Sequence, residues 1–354
     1  MAGIFMIPKN HEYVKRLTRS LEETGMEVVI LKPFHWSTPS NLARLFYHRL
    51  RGIKAVHVHW LYVFPLSVMM KAFVHLCRFM GIKVVWEVHN ILPHEATEKD
   101  RAKSRWLYEN ADALIFHSEG DVERSREVLG SRVVKKDYTV IPHGNFNDSY
   151  PNEVSREEAR KALGIPGDKE VILCFGFIRR NRGYEYLLEA ARDMEDTIIL
   201  VAGGARDKEV EEWLRAKDGE IKNLDLRIGF IPDAEIQNYF NASDFVALPY
   251  TDITTSGVVP LSYAFHRPVI SSAIPGITEV VEEGKTGLLI PPGNSAALRE
   301  AIEKMRGMDL VEMGRYARDY AEEKFSWNSN ANKIKDLYDS LLTRELRRKE
   351  WIPR

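Results

Sequence analysis

The stretch LPYTDITTSGVVPLSYAFHRPVI, residues 248–270, decides how this chain is read. A strand-like run ends in Pro249 and Tyr250. A small polar segment, Thr251 to Ser256, then reaches Gly257, and an apolar helix-length run continues until Pro268 restarts a strand. Strand, polar turn, buried helix and strand in that order make a parallel βαβ unit, whose strands are covered on both faces and read as continuous apolar runs. Ser256 and Gly257 stand where the helix begins, so backbone N–H groups there lack partners within the helix and suit an anion. A plain serine N-cap has the same appearance. The neighbouring segments have to separate the two.

Working outward, the same alternation runs through most of the chain. Apolar strand runs fall at 3–7, 27–32, 54–59, 83–89, 113–117 and 138–142, with helix-like segments near 11–24, 39–51, 63–80, 100–110 and 119–129. After HGNFNDSYPNEV (143–154), whose composition marks a linker, a helix at 156–163 opens a second series. Its strands fall at 171–177, 197–202, 225–230, 244–249, 268–271 and 287–290, and beyond 294 the chain is wholly helical. Ser118 with Asp121, and Ser155 with Glu158, have capping-box spacing. The expected fold class is α/β, with two Rossmann-like parallel-sheet domains facing across a cleft, at 1–148 and 149–329. The final helix, 330–354, is expected to pack back on the first domain.

Composition narrows the class. A chain of 354 residues with 44% hydrophobic and 29% charged residues is ordinary for a soluble globular protein. Its net charge of −1 argues against a nucleic-acid partner. Cys77 and Cys174 lie far apart in apolar surroundings, which supports neither a disulfide framework nor a cysteine metal site. MAGIFMIPKN has no basic start and no cleavage site, so the expected location is cytoplasmic. The apolar stretch 61–80 is interrupted by Pro65, Lys71, His75 and Arg78. It fits a helix buried under a sheet, or a face resting on a membrane, better than a span. Arg344, Arg347, Arg348 and Lys349 near the chain end suit a solvated helix terminus or an anionic membrane surface.

A second anion seat lies in CFGFIRRNRGYEYLLEAARDM, 174–194, where Arg179, Arg180, Arg182 and Gly183 separate a strand from a helix. Fork-shaped guanidinium donors beside a helix start suit a diphosphate. Two such seats carry more weight than either alone. No G-x-G-x-x-G follows a strand, and VAGGARDKEVEEW lacks that spacing. His57 and His59 share a strand face, but the spacing completes no convincing ligand set, so no metal is expected.

In this order and spacing, FGFIRRNRGYEYLLEA, LRIGFIPDAEIQNYFNASDFVALPY, SGVVPLSYAFHRPVI and GITEVVEEGKTGLLIPPGN resemble the retaining GT-B glycosyltransferases of family 4. In the first half VHVHWLY, VVWEVHNILPHE, LIFHSE and VIPHGN resemble the acceptor domain of that family's surface-polysaccharide branch. The resemblance implies transfer of a hexose from a nucleotide-diphosphate sugar donor to a glycan or lipid-linked acceptor, at the inner face of the cytoplasmic membrane. Arg182 stands at the usual lysine position, and Arg179 stands in for an earlier arginine whose place Phe177 takes. Together with Ser256 and Gly257 they would grip the donor diphosphate. His89 matches a histidine that contacts the transferred sugar. Asn10, in the loop Pro8 to His11, together with His59, Trp60, His94 and Glu95, would line the acceptor side.

One departure is large. Two glutamates common among the resembling proteins fall near Ile253 and Leu261, and both carboxylates are missing. Asp252 and Thr255 are left nearest the donor sugar. No Asp-x-Asp metal motif is present, so no cofactor beyond the sugar nucleotide is expected, and charge on the leaving diphosphate would be met by fixed donors. Two alternatives stay open, a sugar-nucleotide epimerase of the same fold and a non-catalytic GT-B partner.

Overall fold

The computed structural model describes residues 3–7, 12–30, 39–59, 67–92, 97–130, 137–253 and 255–350. They form two compact units, Met1–Gly144 with Ser326–Arg354, and Asn145–Phe325.

The first unit alternates strands and helices: β1 (Gly3–Ile7), α1 (Glu12–Glu23), β2 (Glu27–Ile30), α2 (Pro39–Leu50), β3 (Ile53–Val58), α3 (Ser67–Phe79), β4 (Lys83–Glu87), α4 (Glu98–Asn110), β5 (Ala113–Phe116), α5 (Glu119–Leu129) and β6 (Tyr138–Val140). The sheet is parallel, in the order β2-β1-β3-β4-β5-β6. Successive strand residues point to opposite faces, so the core divides into two layers. Phe5, Val84, Trp86, Leu114 and Phe116 face one side with Phe73, Cys77, Leu107 and Tyr108. Ile4, Met6, Val85, Ala113 and Ile115 face the other, with Val14, Leu17 and Leu21 of α1.

The helix that covers this second face beside α1 comes from the far end of the chain. It spans Trp327–Glu350 and presents Trp327, Ala331, Ile334, Tyr338 and Leu341 to the core. Steps of four and three residues put these on one helical stripe. The last helix therefore packs on the first unit, as expected.

The second unit holds α6 (Arg156–Leu163), β7 (Glu170–Phe175), a short 3-10 turn (Arg180–Arg182), α7 (Tyr184–Ala191), β8 (Thr197–Gly203), α8 (Lys208–Lys217), β9 (Leu224–Ile228), α9 (Ile236–Ala242), β10 (Phe245–Leu248), α10 (Val258–Ala264), β11 (Val269–Ser272), β12 (Gly287–Ile290), α11 (Ser295–Arg306) and α12 (Leu310–Lys324). The chain-end helix of the first unit is α13. The order β12-β11-β10-β7-β8-β9 is again parallel and matches the Rossmann order of two half-sheets meeting at the first strand.

The predicted strands all form, with ends that agree or shift by one or two residues. The run 83–89 stops at Glu87, where pairing with β5 ends at Ile115. Ser155 and Glu158 make both bonds of a capping box. At Ser118 the side chain accepts from Asp121 N and caps α5 from one side.

Candidate functional site

In an open parallel sheet, ligands bind beyond the carboxyl ends of the strands where the strand order reverses. In the second unit that place lies between β7 and β10, neighbours in the sheet with helices leaving in opposite directions. The two anion seats read from the sequence follow these two strands. The structure joins them. Thr251 N donates to Asn181 O at 3.1 Å, and Asn181 Nδ2 donates to the Asp252 carbonyl at 2.6 Å. Gly183 has φ +69°, and a Cβ there would lie 1.9 Å from Pro249 O, so only glycine lets the two turns approach this closely.

Side chains complete the joint. Arg182 Nη1 donates to Tyr250 Oη at 2.7 Å, and Tyr250 Oη lies 2.8 Å from Ser256 Oγ. The possible proton positions follow from what each group can do. A guanidinium only donates, so Tyr250 accepts from Arg182, and either hydroxyl can donate across the Tyr250–Ser256 pair. Burial pushes the Tyr250 phenol up, so it keeps its proton. Ser256 Oγ also accepts from Val258 N at 3.2 Å. When Tyr250 donates across the pair, both Ser256 lone pairs are taken and the serine proton is left for a ligand. Tyr250 escaped the sequence reading. Its only signal was a polar aromatic at the end of a buried strand.

The other predicted residues take distinct places. Arg179 lies half-buried, its guanidinium 5.8 Å from the Phe177 ring, and Arg206 approaches the same ring at 4.5 Å. Arg180 is spent on Glu209 and Asp207. Gly257 is exposed at the start of α10, Asp252 is exposed, and Thr255 Oγ1 is buried with no hydrogen-bond partner among the described residues. Ile253 packs against the core and Leu261 belongs to it. Carboxylates at those two places would need partners that this packing does not supply.

On the first unit's side, Asn10, Trp60, His94 and Glu95 lie outside the described residues. His59 and His89 are described, and they meet around a residue that the sequence reading passed over. Glu87, the last residue of β4, is wholly buried. Tyr13, in the first turn of α1, donates its hydroxyl to Glu87 Oε1. His57 Nε2 lies 2.8 Å and His59 Nδ1 3.1 Å from Glu87 Oε2. His89 Nε2 is 3.2 Å from His59 Nδ1, and His89 Nδ1 is 3.1 Å from His117 Nε2, whose Nδ1 donates to Ile141 O at 3.0 Å. Both ring nitrogens of His89, the residue expected to meet the transferred sugar, therefore have imidazole partners.

Burial controls the protonation of this group. It lowers His59 to about 4 and holds His89 well below the usual imidazole range. Burial opposes the charge on Glu87 as well, but His59 and the contacts from His57 outweigh it and hold the carboxyl well below its ordinary value. The signal available in the sequence was a lone Glu inside the apolar run KVVWEVH, since a buried carboxylate requires partners.

Comparison with known proteins covers both units unequally. Residues 155–324, most of the second unit, match the family model described as "Glycosyl transferases group 1". D-inositol 3-phosphate glycosyltransferase of Corynebacterium urealyticum is 28% identical over 266 residues, covering 71% of this chain and 62% of that protein. The chain thus spans about three fifths of that relative's length. Sucrose-phosphate synthase from Thermosynechococcus elongatus superimposes with a TM-score of 0.75 at 19% identity, over 97% of this chain and all of that one. HepE of Anabaena, solved with UDP and glucose, gives 0.72 at 15% identity, over 96% of this chain and all of that one. Those likenesses show the fold, the two-domain GT-B arrangement.

Proposed function

We propose that the chain is a glycosyltransferase that moves a hexose from a nucleotide-diphosphate sugar to a glycan or lipid-linked acceptor. The observation that carries this is the Arg182–Tyr250–Ser256 chain at the strand-order reversal of a group 1 domain. Breaking the bond from sugar to phosphate develops charge on the leaving diphosphate. A guanidinium held in place by Tyr250, together with the serine proton left for a ligand when Tyr250 donates to Ser256, meets that charge without reorganising during the reaction. Arg179 and the Gly257 N–H add donors on the same side of the sheet end.

In this reading protein cations do what a divalent ion does elsewhere, so transfer proceeds without added metal at the diphosphate. The configuration is retained, with the leaving phosphate oxygen taking the acceptor's proton on the face it departs from. Ile253 and Leu261 leave the donor sugar without the carboxylates expected there, so Asp252, Thr255 and backbone groups hold it. His89, occupied on both nitrogens, takes part through the cluster that fixes it.

Lipid-linked acceptors fit the first unit's surface. Arg49 Nε donates to Met80 O at 2.8 Å, which brings together the ends of α2 and α3. Leu50 and Phe79 are each 84% exposed there, with Phe46, Tyr47, Arg51 and Arg78 nearby in sequence. No helix among the described residues is long and apolar enough to cross a membrane. Apolar side chains among cations instead suit peripheral contact with an anionic bilayer.

The test is transfer from labelled UDP-, GDP- and ADP-sugars to a membrane-lipid extract. Wild type should yield a labelled product with at least one donor, and Arg182→Ala should reduce it by two orders of magnitude or more, about 3 kcal/mol of lost transition-state stabilisation. No product with any donor would favour the non-catalytic partner. Full turnover in the variant would defeat the donor-site assignment.

A further inference from the structure

The Glu87 cluster has features that glycosyl transfer does not require. It is built from the carboxyl ends of three neighbouring strands, β3, β4 and β5. His57 on β3 and His59 just past its end stack with ring centroids 4.4 Å apart. His57 and Glu87 are wholly buried and His59 is 1% exposed.

The contacts are close, yet several are not hydrogen bonds. His57 Nε2 and Glu87 Oε2 stand 2.8 Å apart without the alignment of a hydrogen bond, and neither atom has another such partner among the described residues. His59 Nδ1 is 3.1 Å from the same oxygen, and His89 Nε2 is 3.2 Å from His59 Nδ1 and 3.7 Å from Glu87 Oε1. The His59–His89 contact is a hydrogen bond, whereas His57, His59 and Glu87 offer three ligand atoms that all lie within 4.8 Å of one another, as atoms around one ion do. An ion with four bonds of about 2.0–2.1 Å in a tetrahedron holds its ligand atoms roughly 3.3 Å apart.

The surroundings fix the orientation of these groups. Tyr13 occupies Glu87 Oε1, leaving Oε2 for the centre. Ile141 O can only accept, so His117 carries its proton on Nδ1 and accepts at Nε2. His89 then donates from Nδ1, and its Nε2 presents a lone pair towards His59 and Glu87. Hydrogen bonds of this outer kind fix the tautomer of a metal-bound histidine.

We propose that His57 Nε2, His59 Nδ1 and Glu87 Oε2 form a divalent metal site of the zinc class. Two imidazoles and one carboxylate match that ion's preferences. The ion ties the ends of β3 and β4 together and neutralises the buried carboxylate. The site belongs to the first unit and the Arg182 seat to the second, so it revises the expectation of no metal for the first unit alone.

The experiment uses the full chain, purified without a polyhistidine tag from zinc-supplemented culture and dialysed. Elemental analysis should find about one ion per chain, and stripping it with a chelator should lower the melting temperature. Cobalt added to the stripped protein should give the intense visible bands of a four-coordinate ion. Glu87→Gln and His57→Asn should each abolish stoichiometric binding. Metal below about a tenth of an equivalent in wild type, with no cobalt bands, would overturn the site whatever the variants do. Stoichiometric metal retained by both variants would overturn the ligand assignment. Neither readout depends on glycosyl transfer, so the two proposals can fail separately.

Discussion

Replacing Tyr250 with phenylalanine probes the joint between the two anion seats at its narrowest point. The ring is wholly buried and stays in place, so the change removes one oxygen from a packed site. That oxygen accepts from Arg182 at 2.7 Å and shares a hydrogen bond with Ser256 Oγ at 2.8 Å. A hydrogen bond to a charged group contributes about 1.5–3 kcal/mol and a neutral one about 0.5–1.5 kcal/mol. Arg182 would keep a long hydrogen bond, 3.5 Å, to Phe175 O and its place 5.1 Å from the ring centre of residue 250. The second unit should therefore lose about 2–4 kcal/mol of stability, measured by urea unfolding. Arg182 and Ser256 would no longer be held facing the same ligand. Nucleoside-diphosphate affinity should fall by roughly 10- to 100-fold, about 1.4–2.8 kcal/mol, measured by calorimetry on the folded variant. Affinity within twofold of wild type, together with unchanged stability, would refute the coupling of the two seats.

Other parts of the structure can be tested separately. Gly183→Ala places a methyl 1.9 Å from Pro249 O at φ +69°; denaturant unfolding should show a loss of at least about 2 kcal/mol, and a near-neutral variant would mean the two turns do not meet. Ile334, wholly buried on the α13 stripe, should cost about 2–5 kcal/mol when cut to alanine; a smaller change would mean α13 is not part of the first unit's core. Burial pushes the Cys174 thiol up to about 11, and Cys77 is also buried and raised. Near pH 8 less than about one Cys174 in a hundred is thiolate, so a thiol reagent should find both cysteines only after unfolding, and fast labelling of native protein would contradict the burial.

The alternation of strands and helices was legible because each strand is a short continuous apolar run bounded by turn residues. KVVWEVH shows where that legibility stops. Its apolar pattern announced β4, but what Glu87 does depends on Tyr13, 74 residues earlier, and on His57, His59 and His117, contributed by β3 and by the end of β5. Arg182 and Ser256 were visible as two separate anion seats, each in a strand–turn–helix context. Their connection through Tyr250, 68 residues from Arg182, was not, because local patterning carries no trace of which strand ends lie side by side. The strand order supplied that information. It placed β7 against β10 and turned two generic features into one site.

The most direct test of the central claim is calorimetry of UDP, GDP and ADP against their monophosphates, with wild type and Arg182→Ala. A diphosphate grip through Arg182 predicts that at least one diphosphate binds about tenfold or more tighter than its monophosphate, roughly 1.4 kcal/mol, and that the difference collapses in the variant. Absence of that preference in wild type, or its survival without Arg182, would contradict the account.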